Sequence, residues 1–208
     1  MTSTGPESSS PPQQQYAERS YRSPASLAGG GLLLLLGLWL GGDALLRGEA
    51  HTKFMALFAL LLGVPLVVAF TLRPVVRAGE NRLTVRNPFR TITLPWAAVE
   101  DLRATFSAEV FAGGAKYQMW AIPVSLRQRK KAGRQAARGA SRSRFGAAAD
   151  AGPVPRATAD QTLEELRGLR ERGAERETAK GEPVVRWAYP VIVPAVAGAV
   201  GLAVMLAL

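Results

Sequence analysis

The sequence contains no cysteine and one histidine, His51, in 208 residues. Without cysteine there are no disulfides, no thiolate nucleophile and no cysteine-ligated zinc or iron–sulfur site. A single histidine leaves no histidine-clustered metal site and no basis for a Ser–His–Asp triad. Charge is missing from three long stretches, residues 23–42, 54–72 and 187–208. Transport pathways need polar groups inside the membrane, so their absence argues against a transporter or channel. No paired carboxylates in a cleft, phosphate-cradling glycine loop or metal cluster can be found, so the chain reads as non-enzymatic and without a cofactor.

Charge is instead concentrated between these stretches. The chain carries 26 Lys plus Arg against 16 Asp plus Glu, a net charge of +10, all of it outside the three runs. The runs are 20, 19 and 22 residues long. Each is long enough to cross ~30 Å of hydrocarbon as a helix, which satisfies its own backbone groups there. A cleaved signal peptide fits the first run poorly, because 22 residues precede it and the run exceeds a signal core. The leading segment is rich in Ser, Pro and Gln and reads as disordered.

Topology follows from the cations. The block 73–186 holds 22 cations and 12 anions, whereas the loop between the first two runs is neutral. Arg73, Arg77, Arg82, Arg86 and Arg90 follow the second run, and Arg176, Lys180 and Arg186 precede the third. The positive-inside rule places this block and the N-terminus in the cytoplasm, with Trp187 and Tyr189 at the inner interface.

Within the block, residues 82–86 alternate strictly, and Asn87 with Pro88 signals a turn before a returning strand at 89–94. Residues 102–110 alternate over nine positions and predict one continuous strand. Gly113 and Gly114 end it, a further strand is predicted near 116–124, and Val75 to Arg77 can add a short one. Pro95 and Trp96 open a helical turn. Arg127, Arg129, Lys130, Lys131, Arg134, Arg138, Arg142 and Arg144 then form a basic segment. Five of these cations, at 127, 131, 134, 138 and 142, share one helical face. A last helix carries Leu163, Leu166 and Leu169 as a narrow apolar stripe, with Thr158 and Gln161 at its capping positions, and is expected to dock on the β part.

The fold class is therefore α+β membrane protein: three transmembrane helices with a small cytoplasmic antiparallel β domain and flanking helices. The expected divisions are a disordered N-terminus at 1–22, spans at 23–46, 54–72 and 186–208, and an outer loop at 47–53. The β domain is expected at 75–126, the basic helix and linker at 127–157, and the amphipathic helix at 158–176.

The run RNPFRTITLPW at 86–96, with Val99, Glu100 and Asp101 after it, and AKYQMWAIPV at 115–124 resemble the bacterial PH-domain-containing membrane proteins. The resemblance covers about residues 27–126 and the terminal span. Its motif positions here are Asn87, Pro88, Phe89, Pro95, Trp96 and Trp120. It implies a PH-like fold and a binding role, and no catalytic residues. A full PH fold has seven strands and a C-terminal helix. The stretch between Arg73 and Leu126 has room for about four or five strands, which predicts a half-barrel sheet covered by the basic helix.

The basic segment, at Arg127, Arg129, Lys130, Lys131, Arg134 and Arg138, is the candidate contact for anionic lipid headgroups, at about 1 kcal/mol per cation near the surface. Nucleic acid is a weaker reading, because only Phe145 offers a stacking ring nearby. Asp43, Glu49 and His51 read as loop polarity without a second ligand set. Gly37 and Gly41, and Ala197 with Gly201, are candidate helix-packing faces. The expected role is a membrane-anchored module that recruits a protein while its basic segment rides on anionic lipid. The alternative is a structural subunit acting through its spans, with a homo-oligomer or another protein as partner.

Overall fold

The computed structural model describes residues 18–125, 134 and 158–207. Three of its helices are long and apolar enough to cross a membrane: α1 (Pro24–Arg47), α2 (Ala50–Val67, continued by a π-helical turn at Val68–Leu72) and, at the C-terminal end, α4 (Tyr189–Ala207). Ser23 caps α1 by accepting from the Ser26 N–H, and Pro24 sits in the first turn, where its missing N–H costs nothing. The π turn follows Pro65, and Thr71 Oγ1 donates to the Val67 carbonyl at 2.6 Å inside it.

The middle helix packs on both others at glycines. A Cβ on Gly30 would collide with Thr71, and one on Gly198 would lie 2.4 Å from the Leu62 backbone nitrogen. Such close backbone approach is how apolar helices gain packing energy when lipid is as apolar as their side chains.

Between and around the helices, eight strands among the described residues form two antiparallel sheets. They are β1 (Arg19–Tyr21), β2 (Val75–Ala78), β3 (Arg82–Arg86), β4 (Arg90–Pro95), β5 (Val99–Ala104), β6 (Ala108–Ala112), β7 (Ala115–Gln118) and β8 (Val184–Trp187). The larger sheet has the order β1-β2-β3-β4-β8, and the smaller β5-β6-β7. Leu83, Val85, Ile92 and Leu94 from the first sheet meet Leu102, Ala108 and Val110 from the second in one buried core around Trp96. The amphipathic helix α3 (Thr158–Gly173) covers this core with Leu163 and Leu166. Each fully buried Leu contributes about 1.5–3 kcal/mol.

Several expectations change here. The N-terminal segment is not without structure through residue 22: Arg19 to Tyr21 pair with β2. Tyr21 also donates to Glu165 of α3 at 2.8 Å, and burial, reinforced by Glu165, pushes its phenol up to about 12. The nine-residue alternation at 102–110 is not one strand. It folds back at residues 105–107 into the β5–β6 hairpin, with Ala104 opposite Ala108. Ala and Val retain the alternating pattern through such a turn, so periodicity alone does not reveal it. Arg186 and Trp187 belong to β8 rather than to the third span, which begins at Tyr189. Six strands lie within residues 75–126, more than four or five, because the 102–110 stretch supplies parts of two, and β1 and β8 add two more from outside that range. The helix over the sheets is α3, while the basic helix expected there lies outside the described residues, apart from Arg134.

Candidate functional site

The domain has one end from which all three apolar helices emerge. Helix α2 ends at Leu72, three residues before β2, and β8 ends two residues before α4. Arg73 locks this junction. Its Nε donates to the Asn87 carbonyl at 3.1 Å, and its Nη2 to Thr91 Oγ1 at 3.1 Å. Asn87 is itself buried and ties the two sheets together: its Nδ2 donates to the Gln118 carbonyl at 2.7 Å, and its Oδ1 accepts from the Trp120 N–H at 3.3 Å. An amide supplies the donor and the acceptor at once, which explains Asn at this turn. Phe70, in the π turn, meets Phe89 and Trp120 edge-on at centroid distances of 5.3 and 5.5 Å. Aromatic rings thus connect the helix end to both sheets.

The first full row of the large sheet at this end aligns Val75, Arg86, Thr91 and Arg186. The next row, Val76, Val85 and Ile92, faces the core. Side chains alternate along a strand, so Arg86 and Arg186 point to the opposite face, where Arg73 reaches Thr91. Neighbouring strands lie ~4.8 Å apart, so Arg86 and Arg186 flank the Thr91 that Arg73 binds. The cationic form of Arg73 is disfavoured first by burial and then by Arg86. The five strands of this sheet carry six arginines and no acid. Among the described residues, Arg73, Arg86 and Arg186 have no ion-pair partner. The small sheet carries Glu100, Asp101 and Glu109 beside Arg103 and Lys116. There Asp101 binds Arg103, which holds its carboxyl below the usual range, and Glu109 lies 3.5 Å from Lys116.

Of the motif residues, Asn87 and Pro88 are buried at the junction, and Phe89 and Trp120 form the aromatic cluster. Trp96 is fully buried at the opposite end, where its Nε1 donates to the Gly79 carbonyl at 2.9 Å and Pro95 lies beside Gly181. Arg127, Arg129, Lys130, Lys131 and Arg138 lie outside the described residues; Arg134 is exposed. Gly41 faces Leu60, whereas a Cβ on Gly37 would meet nothing within 4 Å. Sequence reasoning used Arg73, Arg86 and Arg186 only for topology. Their convergence depends on β8 joining β4, a pairing across about 90 residues that no local signal announces.

Residues 73–148 match the family model described as bacterial PH domain. The chain carries a bacterial PH domain. In the structure, β1, α3 and β8 lie beyond the matched range and complete the PH domain's sheets and core. No curated protein and no solved structure matches the chain.

Proposed function

We propose that this chain is a membrane-anchored binding module, non-catalytic, with its N-terminus and PH domain on the cytoplasmic side of a bacterial inner membrane. Its large sheet rests on anionic lipid headgroups and leaves the smaller, acid-bearing sheet free to recruit a protein. The observation that carries this reading is the cluster of Arg73, Arg86 and Arg186 around Thr91, without a counter-ion among the described residues, at the end where the helices emerge. Lipid phosphates are the anions within reach there. At about 1 kcal/mol per cation, three arginines contribute about 3 kcal/mol to a domain that is already tethered. The basic segment at 127–138 adds to the same attraction.

Amide exchange of the full-length protein in nanodiscs tests this. Strands β3, β4 and β8 exchange more slowly in anionic than in zwitterionic lipid, and the difference shrinks at high salt. Equal exchange in both lipids would remove the headgroup contact from the account.

One observation favours the structural-subunit reading as a second role. An apolar groove of about 280 Å³ between α1 and α2, lined by Gly37, Gly41 and Gly63, is open in the single chain. Gly37→Leu projects into it from a position where an added Cβ meets nothing within 4 Å, and loss of a co-purifying membrane partner in that variant would support the role.

A further inference from the structure

The tip of the β5–β6 hairpin presents Phe106 with 86% of its surface exposed, the most exposed large apolar residue among those described. The turn that carries it is tight: the Thr105 N–H donates to the Ser107 carbonyl at 3.2 Å. A lone exposed ring is ordinary by itself, so what matters is where the turn puts it.

Ala108, two residues from Phe106, accepts from the Met119 N–H at 2.8 Å. The next residue, Trp120, touches Phe70 in the last turn of α2. A second path agrees. Ala104 and Thr105 line one cavity with Asp160 and Leu163 of the first turns of α3, and the start of α3 shares another cavity with Ser23 and Pro24 at the start of α1. Both paths place the hairpin tip at the end of the domain where the three apolar helices emerge. The opposite turn of the same sheet, Gly113 and Gly114, lies at the far end beside Pro183.

We propose that Phe106 inserts into the interfacial layer of the bilayer that α1, α2 and α4 cross, fixing the orientation of the small sheet as the arginine row fixes that of the large one. The occupant of this surface is the lipid interface itself, which favours an aromatic ring at headgroup depth. The tip residues Thr105 and Ser107 are polar but uncharged, and the carboxylate next to them, Glu109, is held by the Ser107 hydroxyl at 2.9 Å and faces Lys116 at 3.5 Å. The inference rests on the helices spanning a bilayer and is independent of lipid charge, so zwitterionic lipid separates it from the headgroup reading above.

The absence of cysteine allows a direct test. A nitroxide is attached to full-length Phe106→Cys in zwitterionic nanodiscs, with Glu182→Cys at the far end as the reference. Collision with oxygen and with a water-soluble nickel chelate is read by spin relaxation. The proposal predicts that the label at 106 favours oxygen over the chelate several-fold more than the label at 182. Equal chelate access at both sites would overturn it. Shielding of 106 from both reagents would also overturn it, by showing that a protein surface covers the ring. Because Phe106 packs on little, both labelled proteins should unfold at the same temperature as the parent.

Discussion

The two sheets of the PH domain share one core but differ in charge. The large sheet has six arginines and no acid on its strands, and its arginine row at the helix end is left without a counter-ion among the described residues. The small sheet has three acids and two cations: Asp101 pairs with Arg103, Glu109 lies by Lys116, and Glu100 accepts from the Gly114 N–H. A sheet that faces water tolerates mixed charge, because exposed pairs gain little and lose little. A row of arginines without an acid beside it carries a net positive potential that draws anions to it. The contrast is the basis of the proposal that the large sheet is directed at lipid phosphates and the small one at a protein partner.

The comparison breaks most severely if the shared core is removed. Trp96→Ala empties the space between both sheets and leaves the Gly79 carbonyl without its donor. A loss of about 3–5 kcal/mol is expected in denaturant unfolding of the purified chain, with both sheets lost together. Asn87→Ala tests the coupling at the other end. It removes both side-chain bonds that hold Gln118 and Trp120 to the β3–β4 turn, at about 1–3 kcal/mol. Amide exchange should rise in β7 more than in β3, which stays paired on both sides.

The next change sharpens the contrast without touching the core. Arg86→Gln with Arg186→Gln should weaken anionic-lipid protection of β4 and β8 by about 2 kcal/mol in total, whereas Lys116→Gln on the small sheet should leave it unchanged. The smallest effect concerns β1. Tyr21 has its pKa raised to about 12. The folded state therefore holds a proton that the unfolded chain releases near pH 10. The stabilisation is complete below pH 10 and is lost as pH rises toward 12. A stability profile over that window should flatten in Tyr21→Phe.

The sequence was legible where the physics is local. Uncharged runs identified three apolar helices, because length and charge suffice for that. The residues at 82–96 gave a hairpin through alternation and an Asn-Pro turn, and Leu163, Leu166 and Leu169 showed a one-sided helix. What stayed hidden depends on distant pairing. Arg19 to Tyr21 look like part of a polar tail until β2 is available to bind them. Arg186 looks like a flanking charge until β8 sets it beside Thr91. The turn at Phe106 is hidden for a different reason, since Thr, Phe and Ser continue the alternation of the strands on either side. Among the candidate packing glycines, Gly41 and Gly201 face the middle helix and Gly37 does not, while Gly30 and Gly198 also pack there without a distinguishing signal, because small residues are common in apolar helices and only the facing helix tells them apart.

The central claim is that Arg86 and Arg186 meet lipid phosphates. Solid-state NMR can read this directly, through carbon–phosphorus dipolar dephasing of guanidinium-labelled arginine in the full-length protein in anionic bilayers. The account predicts dephasing that falls when Arg86 and Arg186 are replaced by glutamine and persists when Arg103 is replaced instead. Dephasing that is indifferent to the double replacement would place the phosphates elsewhere and contradict the account.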